Sequence, residues 1–129
     1  MKGGASLMKN DMLFESELKV MEILWNEGDT SARDLAVKLS ESAAWSKTTT
    51  YTIIRRCIEK GLVERSGTNF MCCAQITREE AQKRESEILV DKMFDGSSDL
   101  LISSLLGGIK MTSPQINTLR SMIQAFVGE

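Results

Sequence analysis

Hydroxyl and guanidinium side chains are concentrated in one short stretch, WSKTTTYTIIRRCIEKGLVERSGTNF, residues 45–70. Threonine hydroxyls can donate or accept hydrogen bonds at base edges, and a threonine methyl can contact the methyl group of thymine. Arginine and lysine neutralise phosphates or bind guanine. From Lys47 to Arg65 there are five basic and two acidic residues, whereas the whole chain has a formal charge of −2. This concentration favours nucleic acid as the ligand.

The composition excludes most catalytic chemistry. The 129 residues include no histidine, which excludes serine–histidine and cysteine–histidine catalysis and zinc sites of mixed Cys/His type. Neither a paired-carboxylate motif nor a glycine-rich phosphate-binding motif occurs. We therefore expect a binding protein that is not an enzyme and that needs no cofactor and no metal.

Three cysteines, Cys57, Cys72 and Cys73, suggest no disulfide framework. The adjacent pair could bind a thiophilic metal or sense oxidants. Successive residues of a strand point to opposite faces, however, so the pair would chelate poorly. The interpretation we favour is one core cysteine and one surface cysteine.

The bulk numbers are those of a soluble globular protein, with 42% hydrophobic and 26% charged residues. No apolar run is long enough to span a membrane or to form a signal peptide. These features predict a cytoplasmic protein without a membrane partner. Residues 1–13 show no periodicity and are interpreted as a mobile N-terminus.

Two short helices are predicted first. Ser16 can cap the first, whose apolar face includes Leu18, Met21 and Leu24, and the sequence NEGD (26–29) ends it. Thr30 or Ser31 can cap the second, and the sequence SESAA (40–44) is interpreted as the turn that follows it.

A third helix and a β-hairpin are predicted to follow the first two helices. The helix begins near Ser46, runs to Lys60 and is ended by Gly61. Residues 62–76 then have strand character, with the turn SGTN at 66–69. Three helices and a hairpin within residues 14–76 indicate a winged helix, a mainly helical fold with a small β-hairpin wing.

The third helix is predicted to point Thr50, Ile54, Cys57 and Ile58 inward, with Ile53 at the edge of this stripe. Its hydroxyl and basic residues lie on the opposite face. The candidates for base or groove contacts are Thr48, Thr49, Tyr51 and Thr52. The candidates for phosphate contacts are Ser46, Lys47, Arg55 and Arg56, with Arg65 and Asn69 beside the hairpin tip. A solvated helix face and ordinary polar turn residues remain the alternative interpretation.

Residues 77–129 are predicted to form a helical dimerisation region. Thr77 and Glu80 form a capping box before a helix that ends near Phe94. Two further helices follow, which Ser97 or Ser98 and Thr112 or Ser113 can start. Their apolar residues exceed what one small winged helix can cover, which marks an interface. The predicted dimerisation residues are Leu100, Leu101, Leu105, Leu106, Ile116, Leu119, Ile123 and Phe126.

The chain resembles the penicillinase-repressor family of winged-helix regulators, the BlaI/MecI type with its copper-responsive CopY relatives. The resemblance is carried by ESELKVMEILWNEG (15–28), SARDLAVKL (31–39), WSKTTTYTIIRRCIEKGLV (45–63) and ITREEAQKRES (76–86). The family's recognition helix reads approximately W-S-x-x-T-V-x-T-L-L-x-R-L-x-x-K-G. Matching positions are Trp45, Ser46, Thr49, Thr52, Ile53, Ile54, Arg56, Lys60 and Gly61.

This resemblance implies a homodimeric transcriptional repressor that binds a dyad operator, with base-reading residues among Thr49, Tyr51 and Thr52. Lys47-Thr48 replaces the family's common Pro-Lys, so the operator is expected to differ from the family's TACA/TGTA dyads. The alternative function is a winged-helix module that binds protein without sequence-specific DNA binding.

The resemblance leaves the inducing signal open, either a sensor-linked protease or another inducer. Family members that respond to antibiotics are cleaved at an Asn-Phe bond, and Ser104-Leu105 stands in its place here. Copper-responsive members carry a C-terminal pair of Cys-x-Cys motifs, whereas no cysteine follows Cys73. Neither mode of induction is therefore indicated.

Overall fold

Six helices and three short strands make up the part of the chain that the computed structural model describes, residues 12–108 and 110–127. In chain order they are α1 (Glu15–Glu27), β1 (Thr30–Ser31), α2 (Ala32–Ala43), α3 (Lys47–Glu59), β2 (Val63–Ser66), β3 (Met71–Ala74), α4 (Arg78–Met93), α5 (Ser98–Gly108) and α6 (Ser113–Val127). The predicted fold class, mainly helical with a small β wing, is confirmed. Residues 1–11, most of the predicted mobile N-terminus, lie outside the described residues.

The chain divides into two compact units, the first ending at Ile88 and the second beginning at Leu89. Helix α4 therefore begins in the first unit and ends in the second. Ala81, on the first turns of α4, packs in the core of the winged helix. The predicted boundary between residues 76 and 77 falls in the short connection before α4. Within the described ranges, no helix is long and apolar enough to cross a membrane.

The core of the first unit receives side chains from one face of each helix. On α1, Val20, Met21 and Leu24 recur at helical spacing and are buried. Burial of such a side chain contributes about 1.5–3 kcal/mol relative to its exposed state. Their partners in the same cluster include Leu35, Leu39, Ile54, Cys57, Leu62 and Cys72.

The start of α1 differs from the prediction, since Ser16 is not its cap. Phe14 is the N-cap residue, and its N–H donates to Oε1 of Glu17 at 2.9 Å. The carboxylate thus satisfies a backbone donor at the helix start, as the acidic residue of a capping box does. The hydroxyl of Ser16 instead accepts a hydrogen bond from Arg56 at 3.1 Å.

Helix α2 starts where predicted and ends later. Ser31 caps it, because its hydroxyl accepts the N–H of Asp34 at 3.0 Å. The predicted turn at 40–44 is wrong for most of its length, since the helix continues to Ala43 and only Ala44 turns left-handed, with φ of 58°. Residues 40–43 contain neither glycine nor proline, so nothing local ends the helix before Ala44.

The hairpin is present as predicted and belongs to a larger sheet. Strand β3 is central in a three-stranded antiparallel sheet of order β1-β3-β2. The hairpin register runs from Val63 opposite Ala74 to Ser66 opposite Met71. Strand β1, which pairs with the other edge of β3, was not predicted, because two residues cannot show an alternating pattern.

The last three helices begin at predicted capping residues. Thr77 and Glu80 exchange side chain–backbone hydrogen bonds of 2.9 and 3.0 Å before α4. The hydroxyl of Ser97 accepts the N–H of Leu100 at the start of α5. At the start of α6, Thr112 forms a reciprocal pair of bonds with the residue three positions on. These local signals determine where the helices start.

Candidate nucleic-acid interface

Helix α3 is anchored by its cap and by one buried face. The hydroxyl of Ser46 accepts the N–H of Thr49 at 3.1 Å. The buried face consists of Thr50, Ile53, Ile54 and Cys57. Thr50 is fully buried, and its hydroxyl donates to the carbonyl oxygen of Ser46 at 3.2 Å, so burial leaves no unsatisfied hydroxyl. The predicted apolar face is therefore confirmed, except that Ile58 is only half-buried.

The opposite face of α3 is open to solvent along its first half. The exposed residues there are Lys47, Thr48, Thr49, Thr52 and Arg55, while Tyr51 and Arg56 are half-buried. Thr48, Thr52 and Arg55 follow the spacing i, i+4, i+7 and therefore form one ridge. Among the described residues, no carboxylate pairs with Lys47 or Arg55. Hydrogen-bonding groups and unneutralised cations thus share one exposed surface.

The wing places Arg65 next to an aromatic residue. Arg65 and Asn69 are both exposed near the hairpin tip, as predicted. The guanidinium carbon of Arg65 lies 4.0 Å from the centroid of the Phe70 ring. The ring of Tyr51 on α3 meets the same ring edge-on, with centroids 5.9 Å apart. Phe70 thus brings residues of α3 and the wing together, which the sequence reasoning missed.

Beneath the second half of α3 lies a buried carboxylate that sequence reasoning also missed. Glu17 on α1 is fully buried. Its Oε1 accepts from Nζ of Lys60 at 2.8 Å, and its Oε2 accepts from Nε of Arg56 at 3.1 Å. Burial by itself raises the pKa of Glu17, but the hydrogen bonds from Lys60, the Phe14 amide and Arg56 together hold that pKa below its ordinary value. Glu17 is therefore an anion at neutral pH.

This network gives Arg56 a role that the sequence does not predict. Its guanidinium bonds to both Glu17 and Ser16 on α1, and it lies 5.4 Å from the Phe14 ring centroid. Lys60 also donates to the carbonyl oxygen of Met12 at 2.8 Å. Both cations therefore fasten α3 to α1 and to the chain before it.

The cysteines match the predicted division into core and surface. Cys57 and Cys72 are fully buried, whereas Cys73 is partly exposed. Burial raises the pKa of Cys57 to about 12 and that of Cys72 to about 11, so neither is a thiolate at neutral pH. Within the described part of the chain, no cluster of three cysteine or acidic residues could hold a metal ion.

The predicted dimerisation residues lie on α5 and α6. Leu101 and Leu119 are half-buried, and the side chain of Phe126 lies outside the described residues. The remaining five, each 41–52% exposed, are Leu100, Leu105, Leu106, Ile116 and Ile123. Eleven large apolar side chains are exposed in the described ranges, and nine of them lie from Leu89 onward. The second unit thus carries most of the exposed large apolar residues that the structure describes.

Comparison with known proteins gives relatives along nearly the whole chain. A family model described as "Penicillinase repressor" matches residues 13–125. The penicillinase repressor of Bacillus licheniformis is 21% identical over 120 residues, which are 92% of this chain and 94% of the relative. The methicillin resistance regulatory protein MecI of Staphylococcus aureus (strain N315) is 23% identical over 110 residues, covering 84% of this chain and 89% of the relative.

A solved structure of a MarR family protein from Bacillus stearothermophilus is similar at 17% identity, with a TM-score of 0.45 over 97% of this chain and 80% of that one. This likeness is too weak to bear on function. The match to the family model, in contrast, includes α1 to α5 and most of α6. The chain therefore belongs to the penicillinase repressor family, whose members are winged-helix transcriptional repressors and not enzymes.

Proposed function

We propose that the protein is a homodimeric repressor that reads a dyad operator in double-stranded DNA and acts in the cytoplasm. The observation that carries the proposal is the exposed ridge of Thr48, Thr52 and Arg55 on a helix whose other face is buried. A recognition helix of this kind can enter the major groove without disturbing the core. The relatives named as a penicillinase repressor and as MecI support a repressor role.

The base contacts are assigned to the first half of α3, to Thr48, Thr49, Tyr51 and Thr52. The hydroxyl of Ser46 donates to Oγ1 of Thr49 at 3.0 Å, so the hydroxyl proton of Thr49 remains available for an acceptor on a base. Thr52 is exposed one turn farther along and can contact a base edge or a thymine methyl.

Phosphate contacts are assigned to four exposed residues, Lys47, Arg55, Arg65 and Asn69. The N-terminus of α3 adds backbone N–H groups and a positive dipole end. Arg56 and Ser46 are assigned to positioning α3 instead, because Arg56 is paired with Glu17 and Ser46 caps the helix. This assignment changes the sequence-based prediction for both residues.

Dimerisation is assigned to the second unit. None of its described side chains from Leu89 to Ala125 is fully buried, although this segment carries nine exposed large apolar residues. Exposed apolar surface of this extent marks a site where another molecule packs against the protein. A second copy of the chain is the partner proposed, because a twofold dimer presents two recognition helices to a dyad.

Two recognition helices on one DNA face would lie about 34–36 Å apart, one helical turn. Joining them makes the second half-site contact intramolecular, so avidity rises by about 10²–10⁴ over one module. A dimer of this kind would bind its operator tightly even though each copy supplies only a few base contacts.

DNA binding is tested by selecting duplexes from a random pool and measuring anisotropy with the selected and a scrambled sequence. Enrichment of a twofold-symmetric sequence is expected. Thr52→Ala should weaken binding to it by about 1–3 kcal/mol, with scrambled DNA nearly unchanged. Ser86→Ala, which removes an exposed hydroxyl from α4, is the matched control and should bind like wild type. Absence of enrichment would leave protein binding as the function of the winged helix.

Dimerisation is tested by sedimentation at micromolar concentration. Wild type should be a dimer, whereas Ile123→Glu should be a folded monomer that binds the selected duplex about 10²–10⁴ times more weakly. Val37→Glu changes a similarly exposed apolar residue on α2 and should remain dimeric. A monomeric wild type that binds the full dyad tightly contradicts the architecture.

A further inference from the structure

Phe70, the last residue of the hairpin turn, contacts three elements of the winged helix. Its ring lies under the guanidinium of Arg65 on β2 and against the ring of Tyr51 on α3, the two rings inclined at 79°. Its carbonyl oxygen accepts the N–H of Ala32, at the start of α2, at 2.9 Å. One side chain and its carbonyl therefore tie the wing to both helices of the helix-turn-helix.

The backbone of Phe70 is also unusual. Its φ of 49° lies in the left-handed region, which a bulky side chain rarely adopts. Gly67, at the other end of the same turn, has φ of 70° and is the residue type suited to that region. A left-handed aromatic residue persists where its surroundings determine its position, and such residues cluster at functional sites. In this protein, the ring contacts of Phe70 and the hydrogen bond from the N–H of Ala32 hold Phe70 in the left-handed conformation.

Arg65 keeps its charge available in this arrangement. Among the described residues, no carboxylate pairs with Arg65, and it is exposed. A guanidinium over an aromatic face is attracted to the ring and still presents N–H groups at its edge. Contact with the ring also limits the rotamers that the long side chain samples, which lowers the ordering cost of binding.

We propose that Phe70 is a positioning residue of the DNA-binding surface, whose ring holds the Arg65 guanidinium at a set place beside α3 for contact with a DNA phosphate. The inference rests on the proposed function, because it requires α3 and the wing to bind the same duplex. Phe70 acts through Arg65 and Tyr51 and does not itself touch DNA.

The test is the salt dependence of binding to the selected duplex, measured for wild type, Arg65→Ala, Phe70→Leu and the double variant. Loss of one phosphate contact lowers the slope of log K against log salt by about 0.9 for each wing. Raising the salt concentration from roughly 50 to 200 mM weakens DNA binding. For each phosphate contact that a variant lacks, this salt-induced weakening is about 3.5-fold smaller. We expect the same reduced slope for Arg65→Ala, Phe70→Leu and the double variant, because all three lose one contact per wing.

Two further variants separate positioning from folding. Phe70→Tyr keeps the ring and should retain the wild-type slope. Arg78→Ala removes another arginine that lies over an aromatic ring, 5.4 Å from the Trp25 centroid, and should leave the slope unchanged. If thermal unfolding shows that Phe70→Leu is unfolded, Phe70→Met, unbranched and of similar volume, replaces it. In ¹H–¹⁵N spectra without DNA, the Nε–H of Arg65 should lose its ring-current shift in Phe70→Leu and in Phe70→Met, because both variants lack the ring.

The outcomes distinguish the two proposals. A wild type that shows no salt-dependent DNA binding overturns the proposed function and this inference with it. If wild type binds and Arg65→Ala lowers the slope while Phe70→Leu and Phe70→Met retain it, the positioning role is overturned and the proposed function stands. A wild-type slope in Arg65→Ala likewise overturns the inference, since Arg65 then contacts no phosphate.

Discussion

Glu17→Gln replaces the buried carboxylate beneath α3 by a neutral amide of nearly the same size. The carboxylate is fully buried and lies 2.8 Å from Nζ of Lys60 and 3.1 Å from Nε of Arg56. The amide oxygen can still accept the N–H of Phe14, so the start of α1 keeps its hydrogen bond. The substitution therefore removes one negative charge. Arg56 on α3 and Lys60 at the C-terminal end of α3 then lose their counter-charge.

The cost follows from the exposure of the two cations. Removal of one member of a buried ion pair costs about 3–5 kcal/mol. The Arg56 side chain is 39% exposed and that of Lys60 is 18% exposed, so water partly solvates both. We expect the free energy of unfolding to fall by about 2–4 kcal/mol, below the fully buried range. Since 1 kcal/mol corresponds to about 4–8 °C in a domain under 100 residues, Tm should fall by at least about 8 °C.

The pH dependence provides an independent check. The hydrogen bonds to Glu17 outweigh its burial and lower its pKa in the folded state. A carboxyl group with a lowered folded pKa contributes its full stability above its unfolded pKa, near 4.5, and loses it as pH falls through the folded value. The advantage of wild type over Glu17→Gln should therefore be largest at neutral pH and shrink below pH 4.5.

Urea unfolding followed by fluorescence of Trp25 and Trp45, at neutral pH and at several acidic pH values, measures this difference. Glu27→Gln is the matched control, because it removes a surface carboxylate paired with Lys38 at 2.9 Å. The control should leave the midpoint unchanged, since both partners are exposed. The reasoning is refuted if Glu17→Gln loses no more unfolding free energy than the control does. It is also refuted if the difference between wild type and Glu17→Gln stays the same at acidic pH.

Two further predictions concern the helix cap and the thiols. Ser46→Ala removes the acceptor for the Thr49 N–H and should lower the free energy of unfolding by about 1 kcal/mol, measured by urea titration; an unchanged midpoint contradicts the cap. Because burial raises the pKa of Cys57 to about 12 and of Cys72 to about 11, only Cys73 should react with Ellman's reagent in the native protein, and all three in urea. Rapid reaction of two native thiols contradicts this burial.

Local signals in the sequence were sufficient for most of the elements. Ser46 marks the start of α3, Gly61 follows its end, and Thr77 marks the start of α4. A cap hydroxyl and a left-handed glycine act on residues only a few positions away, so a sequence shows them directly. The exposed face of α3 was predictable for the same reason, since helical periodicity assigns residues to faces. The dimerisation residues were predicted from an excess of apolar side chains. Of the seven whose side chains are described, five are exposed, while Leu101 and Leu119 are half-buried.

Only the tertiary structure decided which of the basic residues on and beside α3 pair within the fold. Arg56 and Lys60 carry the same positive charge as Arg55, and their partner Glu17 lies 39 and 43 residues away, beyond any local pattern. The contact of Phe70 with Tyr51, and the pairing of β1 with β3, likewise arise when distant segments pack together. A sequence determines periodicity and caps through neighbours along the chain, whereas a buried charge finds its partners through folding, because desolvation makes an unpaired carboxylate costly only once the core has closed around it.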